Sequence, residues 1–67
     1  MSKFAENLRT LRKEKKLTQP ELAKELNVSK AMISFWENGV CEPTASNIIA
    51  IANFFNVCID DLLKSVL

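Results

Sequence analysis

Histidine and tyrosine are absent from these 67 residues, glycine occurs once, and cysteine and proline occur twice each. These shortages exclude a good deal. Without histidine there is no general base of the commonest kind, and two cysteines alone do not fill a four-ligand structural zinc site of Cys or Cys/His type. Two cysteines also fall short of the disulfide-dense frameworks that staple small secreted domains, so both are read as reduced thiols. Gly39 by itself builds no phosphate-cradling loop, and the single acidic doublet, Asp60-Asp61, points its side chains about 100° apart on a helix. Catalysis, bound metal and cofactor are therefore not expected.

Long apolar runs are missing as well. The richest stretch, Ile48 to Val57, is interrupted by Asn53 and Asn56, short of the roughly 18–20 residues a spanning helix needs. Glu6 follows the N-terminus too closely for an apolar signal region, so no export is expected and a cytoplasmic location is. Residues 1–67 are expected to form one domain with no linker or repeat, with no effector domain beside it and no small-molecule ligand evident.

What the chain does have is helical periodicity. Apolar residues recur at three and four rather than at two, and no strand is needed. The spacing predicts a first helix from about Lys3 to Lys15 with Phe4, Leu8 and Leu11 inward, followed by Leu17 as a plug. Thr18-Gln19-Pro20-Glu21 is a capping box with proline in the first turn, opening a second helix whose inner face is Leu22, Ala23 and Leu26. Asn27, tolerant of the left-handed conformation, ends it. Ser29 caps a third helix from Lys30 to about Asn38, with Ile33 and Trp36 inward and Gly39 as its stop. Thr44 caps a fourth, carrying Ile48, Ile51, Ala52 and Phe55 at i, i+3, i+4 and i+7 and closed by Asn56. A short fifth begins near Ile59, with Asp60 and Asp61 in its first turn and Leu62 and Leu63 inward. The expected architecture is a compact, all-α, five-helix bundle.

Charge is unevenly spread. Residues 1–30 carry eight cations against four anions, net +4, whereas residues 31–67 carry one against four, net −3. Such a dipolar layout suits one face meeting a polyanion, and equally a solvated helix face.

The segment Gln19 to Asn38 joins two short helices by about three residues, which forces a steep crossing over a small side chain such as Ala23. Together with Leu17-Thr18-Gln19, Glu21-Leu22-Ala23, Val28-Ser29, Ile33-Ser34, Trp36-Glu37-Asn38-Gly39, Pro43 and Val57 through Asp60-Asp61-Leu62-Leu63, it resembles the phage-repressor and Cro-like helix-turn-helix regulators over nearly its whole length. The resemblance implies a lambda-repressor-like DNA-binding domain whose third helix enters the major groove of double-stranded DNA while the second lies across the backbone. It implies Lys30, Ala31, Ser34 and Phe35 as the base-reading set, Gln19 and Asn38 as phosphate contacts, and Arg12 with Glu37 as an ion pair bridging the first and third helices. The alternative readings are ordinary exposed helix surface for Lys30 and Ser34, and packing into the core or against a neighbour for Phe35.

Four positions depart from the family's usual pattern. Val40 and Cys41 stand where basic residues are frequent, which predicts fewer phosphate contacts and a shallower salt dependence. Phe35 occupies a base-reading position that is commonly polar. Asn27 replaces the usual glycine of the turn, a harmless change. Ile49, Phe54, Val66 and Leu67 fall outside the inward set and form a candidate homodimer surface. The functional expectation is a repressor that binds a pseudo-palindromic operator as a dimer. The alternatives are an antitoxin-type or restriction-modification controller-type regulator, and a protein-interaction module using Phe35, Val40 and Phe54.

Overall fold

The computed structural model describes residues 3–64, which form five helices: α1 (Phe4–Glu14), α2 (Gln19–Leu26), α3 (Lys30–Glu37), α4 (Ala45–Phe55) and α5 (Ile59–Leu63). No strand occurs among the described residues, so the all-α, five-helix expectation holds. Val66 and Leu67 of the expected dimer surface lie outside the described residues.

The starts of α2, α3 and α4 follow hydroxyls. The Thr18 side chain accepts from the Glu21 amide at 3.2 Å while the Glu21 carboxylate accepts from the Thr18 amide at 2.8 Å, completing the capping box. Ser29 accepts from the Met32 amide and Thr44 from the Asn47 amide, each satisfying a donor that the helix itself leaves unpaired.

Helix ends follow one device, used four times. Lys16, Asn27, Gly39 and Asn56 all have positive φ, between 57° and 73°. After each, the next amide reaches back five residues: Leu17 to Arg12, Val28 to Ala23, Val40 to Phe35 and Val57 to Ala52, at 2.9–3.1 Å. These are Schellman closures, in which an apolar residue follows the left-handed one and folds back over the last turn. Leu17, Val28 and Val57 duly pack against the core. Val40 does not; it is 68% exposed.

Of the four left-handed residues, Lys16 alone lacks a conformational or hydrogen-bonding reason to be there. A left-handed L-residue costs about 1–2 kcal/mol, and part of that returns as lost chain entropy when glycine replaces it. Lys16→Gly is expected to stabilise the domain by about 0.5 kcal/mol, raising the thermal midpoint by about 2–4 °C. A midpoint that falls on this substitution would show that the turn does not need a left-handed residue there.

The core is Phe4, Leu8 and Leu11 of α1, Leu22 and Ala23 of α2, Ile33 and Trp36 of α3, Ile51, Ala52 and Phe55 of α4, and Leu62 of α5. Phe4 meets Trp36 edge-to-face with ring centroids 6.3 Å apart. Leu26, Ile48 and Leu63, expected inward, are partly buried against this cluster. No helix among the described residues is long and apolar enough to cross a membrane.

Candidate nucleic-acid interface

The orientation of α3 is set from behind by one buried carboxylate. Glu37, in the last turn of α3, is 2% exposed. Arg12 of α1 grips it with both prongs of the guanidinium, Nε to Oε2 at 2.6 Å and Nη2 to Oε1 at 3.0 Å, and donates its remaining nitrogen, Nη1, to the Leu17 carbonyl at 2.8 Å. Gln19, the first residue of α2, adds Nε2 to Oε1 at 3.1 Å. Arg9 donates to the Glu37 main-chain carbonyl at 2.7 Å. One side chain thus ties α1, the start of α2 and the end of α3 together. The hydrogen bond to Glu37 raises the Arg12 pKa above its ordinary value; burial opposes this and the charge of Glu37 adds to it. The implied Arg12–Glu37 bridge is therefore present in the geometry expected of it.

With that inner face fixed, the outer face of α3 carries two columns. Residues four apart on a helix are neighbours. Lys30, Ser34 and Asn38 form a polar column; Ala31 and Phe35 form an apolar one beside it. Lys30 and Ala31 are exposed and Ser34 is half-buried. Phe35 is 42% exposed and lies outside the core cluster, so packing into the core, one of its alternative readings, does not hold. The four residues that the resemblance implies as base-reading share one strip of α3, exposed except for half-buried Ser34.

The two expected phosphate contacts are engaged within the protein. Gln19 spends one amide hydrogen on Glu37. The Asn38 side chain donates to the Ser34 carbonyl at 2.9 Å and to the Ser34 hydroxyl at 3.2 Å, joining two residues that the sequence assigned to separate roles. Arg9, not singled out from sequence, lines an open groove with Lys3, Asn38 and Gly39 beside the end of α3. Its signal in the sequence was slight: a cation three residues before Arg12, one turn earlier on the same face.

The expected dimer surface is divided. Ile49 is 49% exposed. Phe54, in contrast, is partly buried against the core, with its ring edge-to-face on Phe55 at 4.9 Å and the Lys15 ammonium 5.8 Å from its centroid. Much of its apolar area is already covered within the chain. Ile59, which the sequence did not assign to this surface, is 42% exposed.

Two short helices joined by three residues, with Ala23 of the first buried in the core and a strip of the second turned outward, define a helix-turn-helix domain. The helix-turn-helix family model matches residues 8–62, and the chain belongs to that family, within its phage-repressor and Cro-like branch. It is 46% identical over 61 residues to the HTH-type transcriptional activator BcrR of Enterococcus faecalis, covering 91% of this chain. The chain spans between 30% and 53% of the length of the curated relatives it matches. Among solved structures, the P22 c2 repressor in complex with a synthetic operator superposes with a TM-score of 0.85 at 36% identity, covering 91% of this chain and 92% of that one. The same fold occurs inside an enzyme: hydroxypropylphosphonic acid epoxidase of S. wedmorenis matches at a TM-score of 0.83 and 30% identity over 94% of this chain and 34% of that one. The fold is thus a DNA-binding regulator's fold that also serves as one part of a larger chain.

Proposed function

We propose that this domain binds double-stranded DNA sequence-specifically, as a cytoplasmic transcriptional regulator that acts by binding and not by catalysis. The observation that carries the reading is the strip Lys30, Ala31, Ser34 and Phe35, turned to solvent on a helix whose back is locked by Arg12 and Glu37. In a major groove, Lys30 can donate to guanine O6 and N7, Ser34 can donate or accept, and Ala31 and Phe35 offer apolar contact to a thymine methyl. Gln19 keeps a second amide hydrogen for a phosphate oxygen. Asn38 can exchange its exposed contacts with Ser34 for a phosphate at a net difference of about 0.5–1.5 kcal/mol. The basic half of the sequence, which includes α1, α2 and Lys30, supplies the general attraction to a polyanion.

The reading extends to a homodimer that represses by occupying a pseudo-palindromic operator. Exposed Ile49 supports a two-fold contact, with Phe54 contributing at its edge. Two-fold symmetry would set the recognition helices about 34–36 Å apart, one turn of DNA. Sedimentation at tens of micromolar checks this part: a dimer is expected, and a monomer throughout would remove the symmetric arrangement while leaving DNA reading intact.

The test of the whole is selection of bound duplexes from a random pool at near-physiological salt. Enrichment of two half-sites about 10 base pairs apart is expected; enrichment of a single half-site would leave a monomeric reader, and no enrichment would turn attention to a protein partner. On the selected duplex, Lys30→Ala is expected to weaken binding by about 1–3 kcal/mol with the melting temperature unchanged. Unaltered affinity would remove Lys30 from the base-reading set.

A further inference from the structure

The two arginines of α1 are spent differently. Arg12 has all three guanidinium nitrogens bonded inside the protein, two on the Glu37 carboxylate and one on the Leu17 carbonyl, at 2.6 to 3.0 Å. Arg9 commits one nitrogen: Nη2 donates to the Glu37 main-chain carbonyl at 2.7 Å, a carbonyl that the end of α3 leaves without an intrahelical donor. Arg9 is exposed and makes no other hydrogen bond and no ion pair among the described residues. A guanidinium has five N–H donors, so four of Arg9's are unspent.

Arg9 lines an open groove with Lys3, Glu6, Asn38 and Gly39. Asn38 also ends the polar column Lys30, Ser34, Asn38, so the groove continues the outer strip of α3 toward α1. The loop that follows α3 offers no cation there: Val40 and Cys41 are uncharged, Glu42 is acidic, and all three are exposed. Lys3 is held by Glu6, Nζ to Oε2 at 3.4 Å, in an exposed pair of little strength. Among the described residues, Arg9 is thus a cation at this end of the strip with neither burial nor a carboxylate to neutralise it. Its planar fork matches a phosphate in shape as well as in charge.

We propose that the groove between α1 and the end of α3 takes one backbone phosphate of duplex DNA, bound by Arg9, just outside the bases that α3 faces. The proposal rests on the DNA-binding reading of α3 and supplies a contact which that reading does not assign. The occupant is the sugar-phosphate backbone, because the groove adjoins Asn38 and its uncompensated charge is positive. Arg9 then does two things at once. One nitrogen stays on the Glu37 carbonyl while the others hold the phosphate, so a single rigid fork fixes the distance between the DNA backbone and the end of α3. The shallower salt dependence expected from Val40 and Cys41 is offset by this contact from α1.

The test uses the whole chain and the duplex it selects from a random pool. Arg9→Gln removes the charge and keeps an amide donor for the Glu37 carbonyl, with circular dichroism and melting temperature checked to show that the fold is intact. Its affinity is expected to fall about tenfold or more. The slope of log affinity against log salt is expected to lose about 0.9, the share of one phosphate. Arg9→Lys, which keeps the charge, retains most of that slope. Replacing single phosphates by neutral methylphosphonates locates the contact: one position that weakens binding by the native chain is expected to make no difference to Arg9→Gln. If Arg9→Gln weakens binding while the salt slope and every phosphate's effect stay as in the native chain, Arg9 acts only through the α3 carbonyl and the proposal is overturned. Native affinity in Arg9→Gln overturns it too, and in both cases the DNA-binding reading stands. Selection of no duplex overturns both.

Discussion

Arg12→Ala is expected to leave most molecules unfolded at 25 °C. The Glu37 side chain is 1% exposed and Arg12's is 12% exposed, so removing the guanidinium strands a carboxylate that water does not reach. Breaking a buried pair from one side costs about 3–5 kcal/mol. A core of this size supplies roughly 3–5 kcal/mol in all. The loss is thus of the same size as the whole stability. Urea denaturation followed by circular dichroism measures it, and a loss under about 0.5 kcal/mol would mean that the carboxylate is hydrated in solution. The double variant Arg12→Met/Glu37→Met separates charge from packing: it removes both buried ions and is expected to regain most of the stability.

The same variant should split stability from function. Glu37 holds α3 at the angle that presents its outer strip, and it also anchors Gln19. A refolded Arg12→Met/Glu37→Met domain would keep the hydrophobic seam of Leu22, Ile33 and Trp36 but lose the link that fixes Gln19. Its DNA affinity is expected to remain below that of the native chain after stability has recovered. Alkaline titration is a weaker lever. The Arg12 pKa is raised on folding, so its contribution is complete at any pH below the unfolded value and fades only as pH rises through the folded one.

The parts of this fold that were legible in the sequence are those set by near neighbours. Thr18, Ser29 and Thr44 cap helices because a hydroxyl finds an amide three residues on, and Asn27 and Asn56 end helices because asparagine tolerates positive φ. Lys16 escaped notice for the opposite reason, since lysine has no such preference. Its signal was the pattern it shares with Asn27-Val28, Gly39-Val40 and Asn56-Val57, a left-handed residue followed by an apolar one. The proposed base-reading strip comes only from the family resemblance, because exposed lysine, alanine and serine are ordinary surface by composition. Helical spacing alone left Phe54 outside the inward set, since it sits next to Phe55 and its partial burial depends on ring packing and on Lys15, 39 positions earlier in the sequence.

Asn7 was not legible at all, and its replacement is expected to release the C-terminal helix. It is a buried polar residue on the core side of α1, and its Nδ2 amide donates to the carbonyls of Asp61, Leu62 and Lys64 at 3.1, 2.9 and 2.6 Å. Those partners lie 54 to 57 positions away, beyond any local pattern. The physical need is local, however. A helix leaves its last four carbonyls without intrahelical donors, and α5 has only five residues. It also lacks the left-handed closure used elsewhere, because Lys64 is extended at φ −106°. The Asn7 amide does from α1 what a Schellman turn does for the other helices. Asn7→Leu keeps the volume and removes the donors, stranding buried carbonyls at about 1–3 kcal/mol in total once partial rehydration is allowed. Asn7→Asp should be worse, since it sets a carboxylate against three carbonyl oxygens. This order distinguishes hydrogen bonding from packing, for which the isosteric aspartate would be the milder change. Hydrogen exchange at the Leu62 and Leu63 amides is expected to accelerate before that of α1, because α5 is held by this contact, by the Lys3 amide on the Leu63 carbonyl at 3.4 Å and by buried Leu62. If Asn7→Asp matched the native chain in both stability and exchange, the amide would have no part in holding α5. The Glu37 cluster lies on the α3 side of α1 and Asn7 on the α5 side. Folded Asn7→Leu protein should therefore bind DNA through α3 with undiminished affinity, whereas Arg12→Met/Glu37→Met should not.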